Sequence, residues 1–190
     1  MVAVGDVNHI VSRVVEESRN LVPGQNLGAV ISASAKERIE GYITEAEEQG
    51  ATVLLDGRGT SVEGCEQGTY VGPTVLDNVT PDMSIARAEV FGPVLSIIRT
   101  EDLEEAIELE NASPYGNAAV VYTQDGQVAR QFADQASAGM IGVNVGVPVP
   151  REPFGFGGWN DSRFGVGDIT GRGSIQFWTQ SKKVTSHWVQ

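Results

Sequence analysis

Apolar residues recur every three or four positions over the first quarter of the chain, which is the spacing of one helical face. This spacing predicts a first helix around 7–15, with Asp6 as its N-terminal cap. A second helix is predicted at 34–49, because the serine that opens it and Glu37 form a capping box. Gly50 follows in the position that a C-terminal cap glycine takes.

Short apolar runs bounded by glycine and polar residues predict strands that alternate with further helices. We expect these strands at 52–55, 70–75, 94–98, 118–122 and 141–145. The helices are expected at 103–111, which begins with a capping box of Asp102 and Glu105, and at 127–136. Such alternation is typical of an α/β fold with a largely parallel sheet and flanking helices.

The composition changes after residue 145, where prolines and then glycines surround several aromatic residues without any periodic pattern. We therefore divide the chain into an α/β domain at 1–145, a Gly/Pro/aromatic loop with a short helical turn at 146–180, and a C-terminal strand at 181–190. The strand itself is expected at 183–188, contains apolar residues and has no hairpin partner in the sequence. An unpaired strand edge recruits other chains, so a role in self-association is expected.

The chain is strongly acidic, with 25 Asp and Glu against 13 Lys and Arg in 190 residues and a net charge of −12. Phosphate binding needs clustered basic residues, so no nucleic-acid partner is expected. No apolar run approaches the roughly 20 residues that cross a bilayer, and the first residues lack the pattern of a signal peptide. We therefore expect no membrane partner and a cytoplasmic location, in agreement with the single cysteine.

Cys65 is the only thiol in the sequence. It lies between Glu63 and Glu66 in a loop, and neighbouring carboxylates oppose formation of the reactive thiolate. We interpret it as an incidental thiol. His9 and His187 stand near opposite ends of the chain and share no ligand spacing with it, so neither a metal site nor a hydrolase built on Cys65 and His9 is expected.

Two glycine-rich stretches, 155–158 and 165–168, superficially resemble dinucleotide-binding loops. Both lack the third glycine at the required spacing, and neither opens a long helix after a strand. The residues by themselves therefore indicate an α/β domain with an unusual loop, and no particular reaction.

Several motifs resemble those of aldehyde dehydrogenases in both order and spacing. The most specific is 89–94, Glu-Val-Phe-Gly-Pro-Val, which resembles the family signature E-[IV]-F-G-P-V. Similar too are the Gly-Pro-Thr strand at 70–75, the Asn-to-Tyr-Gly turn at 111–117, the strand entering the active site at 138–144 and the Phe-Gly-Gly-Trp loop at 156–159. The resemblance covers essentially the whole chain and is to the C-terminal portion of the catalytic domain.

Within the family, the segments 143–150 and 173–180 are most similar to the methylmalonate-semialdehyde dehydrogenase subgroup. This resemblance implies NAD-dependent oxidation of an aldehyde through a cysteine thiohemiacetal and a thioester. In this subgroup the thioester is released to coenzyme A, and the implied substrate is malonate or methylmalonate semialdehyde.

The resemblance also implies roles for individual residues. Glu89 would bind NAD, because its two carboxylate oxygens can accept hydrogen bonds from the adjacent hydroxyls of the nicotinamide ribose. Phe91 would pack beside the nicotinamide end of the same cofactor. Asn144 and Phe156 would lie near the substrate entrance, with packing inside the domain as the alternative role for both. Without the signature, Glu89 would be interpreted as a solvated turn carboxylate.

The sequence also departs from the family pattern. The family's nucleophilic cysteine comes shortly before the helix that starts here near Asp6, and no residue of this sequence matches it. The nucleotide-binding domain and the general-base glutamate have no counterpart either, and Ala88 replaces an acid of many relatives. We assign no catalytic residue and expect this chain alone to be inactive.

Two hypotheses follow for what such a chain does. It is a fragment or subunit of an aldehyde dehydrogenase, which a complementary N-terminal half or a second copy in a homodimer completes. The alternative is a non-catalytic oligomerisation module derived from the same fold.

Overall fold

A computed structural model describes residues 1–151, 153–165 and 167–188 as a mixed α/β protein. The chain divides into two compact units, Met1–Ala106 and Ile107–Gln190. The first unit contains, in order, β1 Val2–Val4, α1 Asn8–Ser18, α2 Ala33–Glu48, β2 Thr52–Leu55, β3 Thr74–Asp77, α3 Ser84–Arg87, β4 Val94–Ser96, β5 Ile98–Thr100 and the start of α4 Leu103–Asn111. The second contains the end of α4, then β6 Tyr115–Gly116, β7 Ala118–Val121, α5 Gly126–Gln135, β8 Met140–Val143, β9 Trp159–Asn160, a 3-10 turn at Gly171–Gly173 and α6 Ser174–Trp178.

Small sheets with mostly parallel pairings replace the one largely parallel sheet that the sequence predicts. In the first unit β3 lies between β2, to which it is antiparallel, and β4, to which it is parallel. Strands β1 and β5 form a separate parallel pair. The second unit contains the parallel pair β7 and β8 and the short antiparallel pair β6 and β9. The α/β class is therefore confirmed, but the strands are divided among several sheets.

The first unit has a dense core between α2 and the central strands. Ile39 and Ile43 of α2 and Leu76 of β3 are fully buried in it. A smaller cluster forms where α1 contributes Val11 next to Ile97. Apolar burial of this kind contributes roughly 1.5–3 kcal/mol for each large side chain, so these contacts dominate the stability of the unit.

An ion pair crosses between two strands of this unit. Arg99 of β5 donates from Nε to Asp77 Oδ1 (2.9 Å) and from Nη2 to Asp77 Oδ2 (2.8 Å). The Asp77 carboxylate at the end of β3 is buried. The hydrogen bonds from Arg99 lower the pKa of Asp77 below its usual value, and the same contacts raise the pKa of Arg99.

The predicted second helix is present, but a different serine caps it. Ser32 Oγ accepts a hydrogen bond from the Ala35 N–H (3.1 Å), so α2 begins at Ala33 rather than at a cap formed by Ser34. Both serines have the chemistry of an N-cap, and the glutamate three residues after Ser34 favoured the wrong one. Gly50 ends the helix with φ of +104°, as expected of a C-terminal cap glycine.

The first helix also starts differently from the prediction. Val7 occupies the N-cap position of α1 without a side-chain bond. Asp6 lies one position earlier, and its Oδ1 accepts hydrogen bonds from the backbone N–H of Asn8 (3.4 Å) and from the Asn8 side chain (3.0 Å). Asp6 therefore bonds to the first residue of α1, as predicted, but from outside the N-cap position. At α4 half of the predicted box is formed, because the Glu105 N–H donates to Asp102 Oδ1 (2.9 Å). The Glu105 carboxylate accepts from the Glu101 N–H (2.9 Å) rather than from that of Asp102.

Two strand predictions need correction. The strand expected at 70–75 begins only at Thr74, since Pro73 has no N–H for a ladder and Gly72 packs against the backbone of Gly57. The strand expected at 94–98 is divided into β4 and β5 around Ile97, whose N–H bonds to Leu76 O (2.8 Å). The chain changes its neighbour at that point, which a continuous apolar run does not reveal.

The end of the chain differs as well. The helical turn expected at 174–179 is present as α6. Residues 181–188 form no strand, because none of the residues described by the structure offers them a paired neighbour. The last two positions of the predicted strand, 189–190, lie outside the described residues. In the described part of the chain, no helix is both long and apolar enough to cross a membrane.

Candidate functional site

The turn between α3 and β4 presents Glu89 and Phe91 to solvent. Helix α3 ends at Arg87, and Ala88 takes an extended conformation that carries the chain away from the helix. Val90 points into the core, where it packs against the cluster of α2 and β3. The residues on either side of it, Glu89 and Phe91, are both exposed, and we call 89–92 the signature turn.

Phe91 has a strained backbone. Its φ is +52°, the left-handed region in which an L-residue other than glycine costs about 1–2 kcal/mol. Its ring is 74% exposed, so burial of this side chain does not offset the strain. Strain that persists at an exposed aromatic residue is typical of a functional turn.

Gly92 fixes one end of the signature turn. A Cβ added there would lie 2.8 Å from Ile39 Cδ1, and Ile39 is fully buried, so it has no room to move aside. The Gly92 carbonyl also accepts a hydrogen bond from the Val94 N–H (2.8 Å), and the Pro93 carbonyl accepts one from Thr74 N (2.9 Å). The glycine is therefore required by the close approach of α2.

Arg38 of α2 contacts the other side of this turn. Its Nη1 donates to the Val90 carbonyl oxygen at 2.9 Å. The two residues are 52 positions apart, so no local pattern could have revealed the contact. Arg38 was missed by the sequence analysis for this reason.

Glu89 and Phe91 line the same open cavity, of about 370 Å³. Its wall includes Ala88, Gly92 and apolar residues of β4 and β5. The site thus combines a carboxylate, which has two acceptor oxygens, with an exposed ring on an apolar floor. This pair of a hydrogen-bond acceptor and an aromatic ring suits a ligand that carries neighbouring hydroxyls and a flat ring.

Asn144 belongs to the second unit, where it follows β8 with φ of +55°. Its side chain accepts from the Thr123 N–H (2.9 Å) and donates to the Thr123 carbonyl (2.9 Å). The amide thereby joins the ends of β7 and β8. This contact gives Asn144 a structural role, whatever further role it has.

Phe156 also lies in the second unit, 36% exposed. Its N–H donates to Thr170 Oγ1 (2.8 Å). The Asp168 carboxylate lies against its two glycine neighbours, since a Cβ on either Gly155 or Gly157 would come within 2.3 Å of a carboxylate oxygen. These glycines therefore let Asp168 approach the loop, a packing reason for a pattern that superficially resembles a nucleotide loop.

Cys65 is exposed in a turn of the first unit. Its N–H donates to Val62 O (2.9 Å), and its carbonyl accepts from Gly68 N (2.8 Å). Backbone N–H donors, including that of Gly64 (2.8 Å), lower the pKa of the neighbouring Glu66. No group of ligand side chains suited to a metal ion occurs in 1–151, 153–165 or 167–188.

Known proteins are similar to this chain in sequence and in fold. Residues 4–184 match the aldehyde dehydrogenase family. Malonate-semialdehyde dehydrogenase 2 of Bacillus thuringiensis (strain Al Hakam) is 45% identical over 188 residues, which cover 95% of this chain and 38% of that protein.

Two crystal structures resemble the chain over its full length. One is described as a methylmalonate-semialdehyde dehydrogenase of Sinorhizobium meliloti 1021 complexed with NAD, with a TM-score of 0.93 and 41% identity. The other is methylmalonate-semialdehyde dehydrogenase of Oceanimonas doudoroffii, with a TM-score of 0.92 and 39% identity. Each is covered to 40% of its own length, so the chain spans well under half of the relatives it matches. The chain belongs to the aldehyde dehydrogenase family.

Proposed function

We propose that this chain forms part of the catalytic domain of an NAD-dependent dehydrogenase of malonate or methylmalonate semialdehyde, in which the signature turn holds the nicotinamide ribose. The substrate class is supported by the 45% identity to a malonate-semialdehyde dehydrogenase. The observation that carries the role of the turn is the pairing of Glu89 with a strained, exposed Phe91 at one open cavity.

The chemistry of the turn fits the nicotinamide end of NAD. The Glu89 carboxylate would accept two hydrogen bonds from the ribose diol, and the Phe91 ring would restrict where the nicotinamide lies. Bound NAD would supply the acceptor of a hydride from the aldehyde carbon. These residues bind and orient the cofactor and transfer no proton themselves.

The thiol chemistry belongs, in this proposal, to a part of the enzyme outside the 190 residues. Cys65 lies in an exposed turn among acidic residues and takes no part. The chain by itself should therefore form no NADH. It should also bind NAD weakly or not at all, since a pyrophosphate needs a glycine-rich loop and helix N-terminus that the signature turn does not provide. Calorimetry that finds micromolar affinity for the purified chain would refute this part.

The test of the turn is kinetic. The chain is joined behind the portion of the S. meliloti relative that precedes the matched region, and NADH formation from either semialdehyde is followed with coenzyme A. Glu89→Gln should raise KM for NAD roughly tenfold, the effect of losing about one charge-assisted hydrogen bond. Glu48→Gln, at another exposed glutamate near the end of α2, is the matched control and should leave KM for NAD and kcat unchanged. Equal kinetics of the two variants would refute the role of Glu89.

The second part of the proposal concerns assembly. Val184 and Trp188 near the C-terminus are 80% and 88% exposed. Covering these side chains with another protein would be favourable, because it removes apolar area from water. We expect a homodimer, or association with a complementary N-terminal half, through residues after Gln180. Sedimentation should show a dimer that deletion of 181–190 converts to a monomer, and a monomer at all concentrations before deletion would refute it.

A further inference from the structure

We infer that Arg38 is a positioning residue that holds the signature turn in its cofactor-binding geometry. This inference rests on the proposed function of Glu89 and Phe91. Its structural basis is the hydrogen bond from Arg38 Nη1 to the Val90 carbonyl, 2.9 Å long, which comes from a different element of the fold.

The bond acts on the strained residue through the peptide plane. The Val90 carbonyl and the Phe91 N–H belong to one planar peptide unit. A donor that fixes the carbonyl oxygen therefore fixes the orientation of this plane, and with it one of the two planes whose relative rotation is φ of Phe91. On the far side, Gly92 is held against Ile39 and by the Val94 N–H. Phe91 is thus held from both sides at φ of +52°.

The base of the Arg38 side chain is itself held firmly. Helix α2 is 16 residues long and is capped by Ser32. Ile39, the next residue, is fully buried beneath the turn. One helix therefore supplies both the apolar support and the charged donor, and the guanidinium gives a stronger bond to a carbonyl than a neutral donor would.

Loss of the donor should free the turn to relax toward ordinary backbone conformations. Glu89 and Phe91 would then become ordered only when the cofactor binds. The free energy needed to order them would weaken the affinity for the cofactor. Once the cofactor is bound, the turn is again in place. The effect should therefore fall on KM for NAD and leave kcat nearly unchanged.

The first arm of the test uses the 190-residue chain alone and needs no activity. Amide NMR spectra are compared for the parent, Arg38→Ala, Arg38→Lys and Arg87→Ala. Arg87 is the matched control, because it bonds to the Pro81 carbonyl and Asp82 rather than to the signature turn. Arg38→Ala should move the amide signals of Phe91 and Gly92 and speed their exchange, Arg38→Lys should restore them in large part, and Arg87→Ala should leave them in place.

The second arm uses the joined protein. Arg38→Ala should raise KM for NAD roughly tenfold with kcat within about twofold, and Arg38→Lys should recover most of the loss. Unchanged amide signals in Arg38→Ala would overturn the inference without touching the role of Glu89. Shifted signals with an unchanged KM would overturn it too, and the Glu89→Gln variant then shows separately whether the turn binds the cofactor at all. A fall in kcat alone, not recovered by lysine, would also contradict it.

Discussion

The two compact units differ in how completely each buries its own apolar residues. Of the described residues, the largest fully buried side chains all lie in Met1–Ala106: Ile39, Ile43, Val71, Thr74, Val75, Leu76 and Ile97. In Ile107–Gln190 three of the six buried apolar residues that the structure describes are alanines, and the other three are Ile107, Phe132 and Met140. Among the described residues, the first unit exposes two large apolar side chains by 70% or more, Ile31 and Phe91. The second unit exposes seven to this extent: Val147, Phe154, Phe164, Ile175, Trp178, Val184 and Trp188.

Because of this difference, we expect the two units to affect different properties, the first stability and the second association. The first unit has the core of a self-sufficient domain, and its helix α2 supports the signature turn from below. The second unit has more of the highly exposed apolar side chains among the described residues. We therefore expect core substitutions to act on folding in the first unit, and surface substitutions near the C-terminus to act on association.

The largest effect should come from the core of the first unit. Leu76→Ala removes a fully buried side chain of β3 and should lower the free energy of unfolding by about 3 kcal/mol or more. Ile31→Ala, at a residue 96% exposed, is the control and should change it by less than about 0.5 kcal/mol. Urea unfolding followed by circular dichroism measures both.

Tryptophan fluorescence extends this experiment to the second unit, because all three tryptophans, Trp159, Trp178 and Trp188, lie there. Similar effects of the two substitutions on the dichroism transition would contradict the description of the first core.

A smaller effect is expected from the buried carboxylate. Asp77→Asn removes the charge that Arg99 binds and should cost about 2 kcal/mol at pH 7. Because Arg99 lowers the pKa of Asp77, this contribution is present above the unfolded-state pKa of about 3.9 and is lost as the pH falls through the lower folded-state pKa.

The difference between parent and variant should therefore be constant from neutral pH down to about pH 5 and should shrink in acid. Asp82→Asn is the control, since the ion pair of Asp82 with Arg87 is exposed on both sides and should contribute less than about 1 kcal/mol. A pH-independent difference for Asp77→Asn would show that the charge is not responsible.

The smallest effect is expected in the second unit. Asn144→Ala removes both hydrogen bonds to Thr123 and leaves a non-glycine residue at positive φ, so we expect a loss of about 1 kcal/mol. Asn144→Gly removes the same bonds but tolerates that φ, and should lose less. Hydrogen exchange at the Thr123 amide should accelerate in both variants. Protection that is unchanged would exclude the structural role of Asn144.

The sequence predicted elements well where local chemistry decides them. Strand β2 and helix α4 have the predicted bounds, and α5 begins and ends one residue earlier than expected. These elements depend on capping residues and on short apolar runs near in sequence. Contacts between distant residues decided the rest.

The signature turn illustrates both sides of this limit. Its motif identified Glu89 and Phe91, and both line one cavity. The positive φ of Phe91 and the bond from Arg38 follow from the approach of α2, which no local pattern encodes. In the same way, the segment 183–188, which contains two apolar residues, suggested a strand, but a strand forms only with a partner, and the described residues provide none.

In our proposal, this chain contributes the cofactor-holding turn, and not the thiol, to a semialdehyde dehydrogenase. The most direct measurement is NADH formation from malonate and methylmalonate semialdehyde, with and without coenzyme A, by the chain and by its Cys65→Ala variant, each alone and each joined to the preceding portion of the S. meliloti relative. We expect no turnover by either chain alone, since without a held thiolate and a bound cofactor only residual effects of positioning would remain. We expect equal turnover by the two joined proteins. Turnover by the isolated chain that Cys65→Ala abolishes would contradict the proposal, because it would show that Cys65 supplies the thiol.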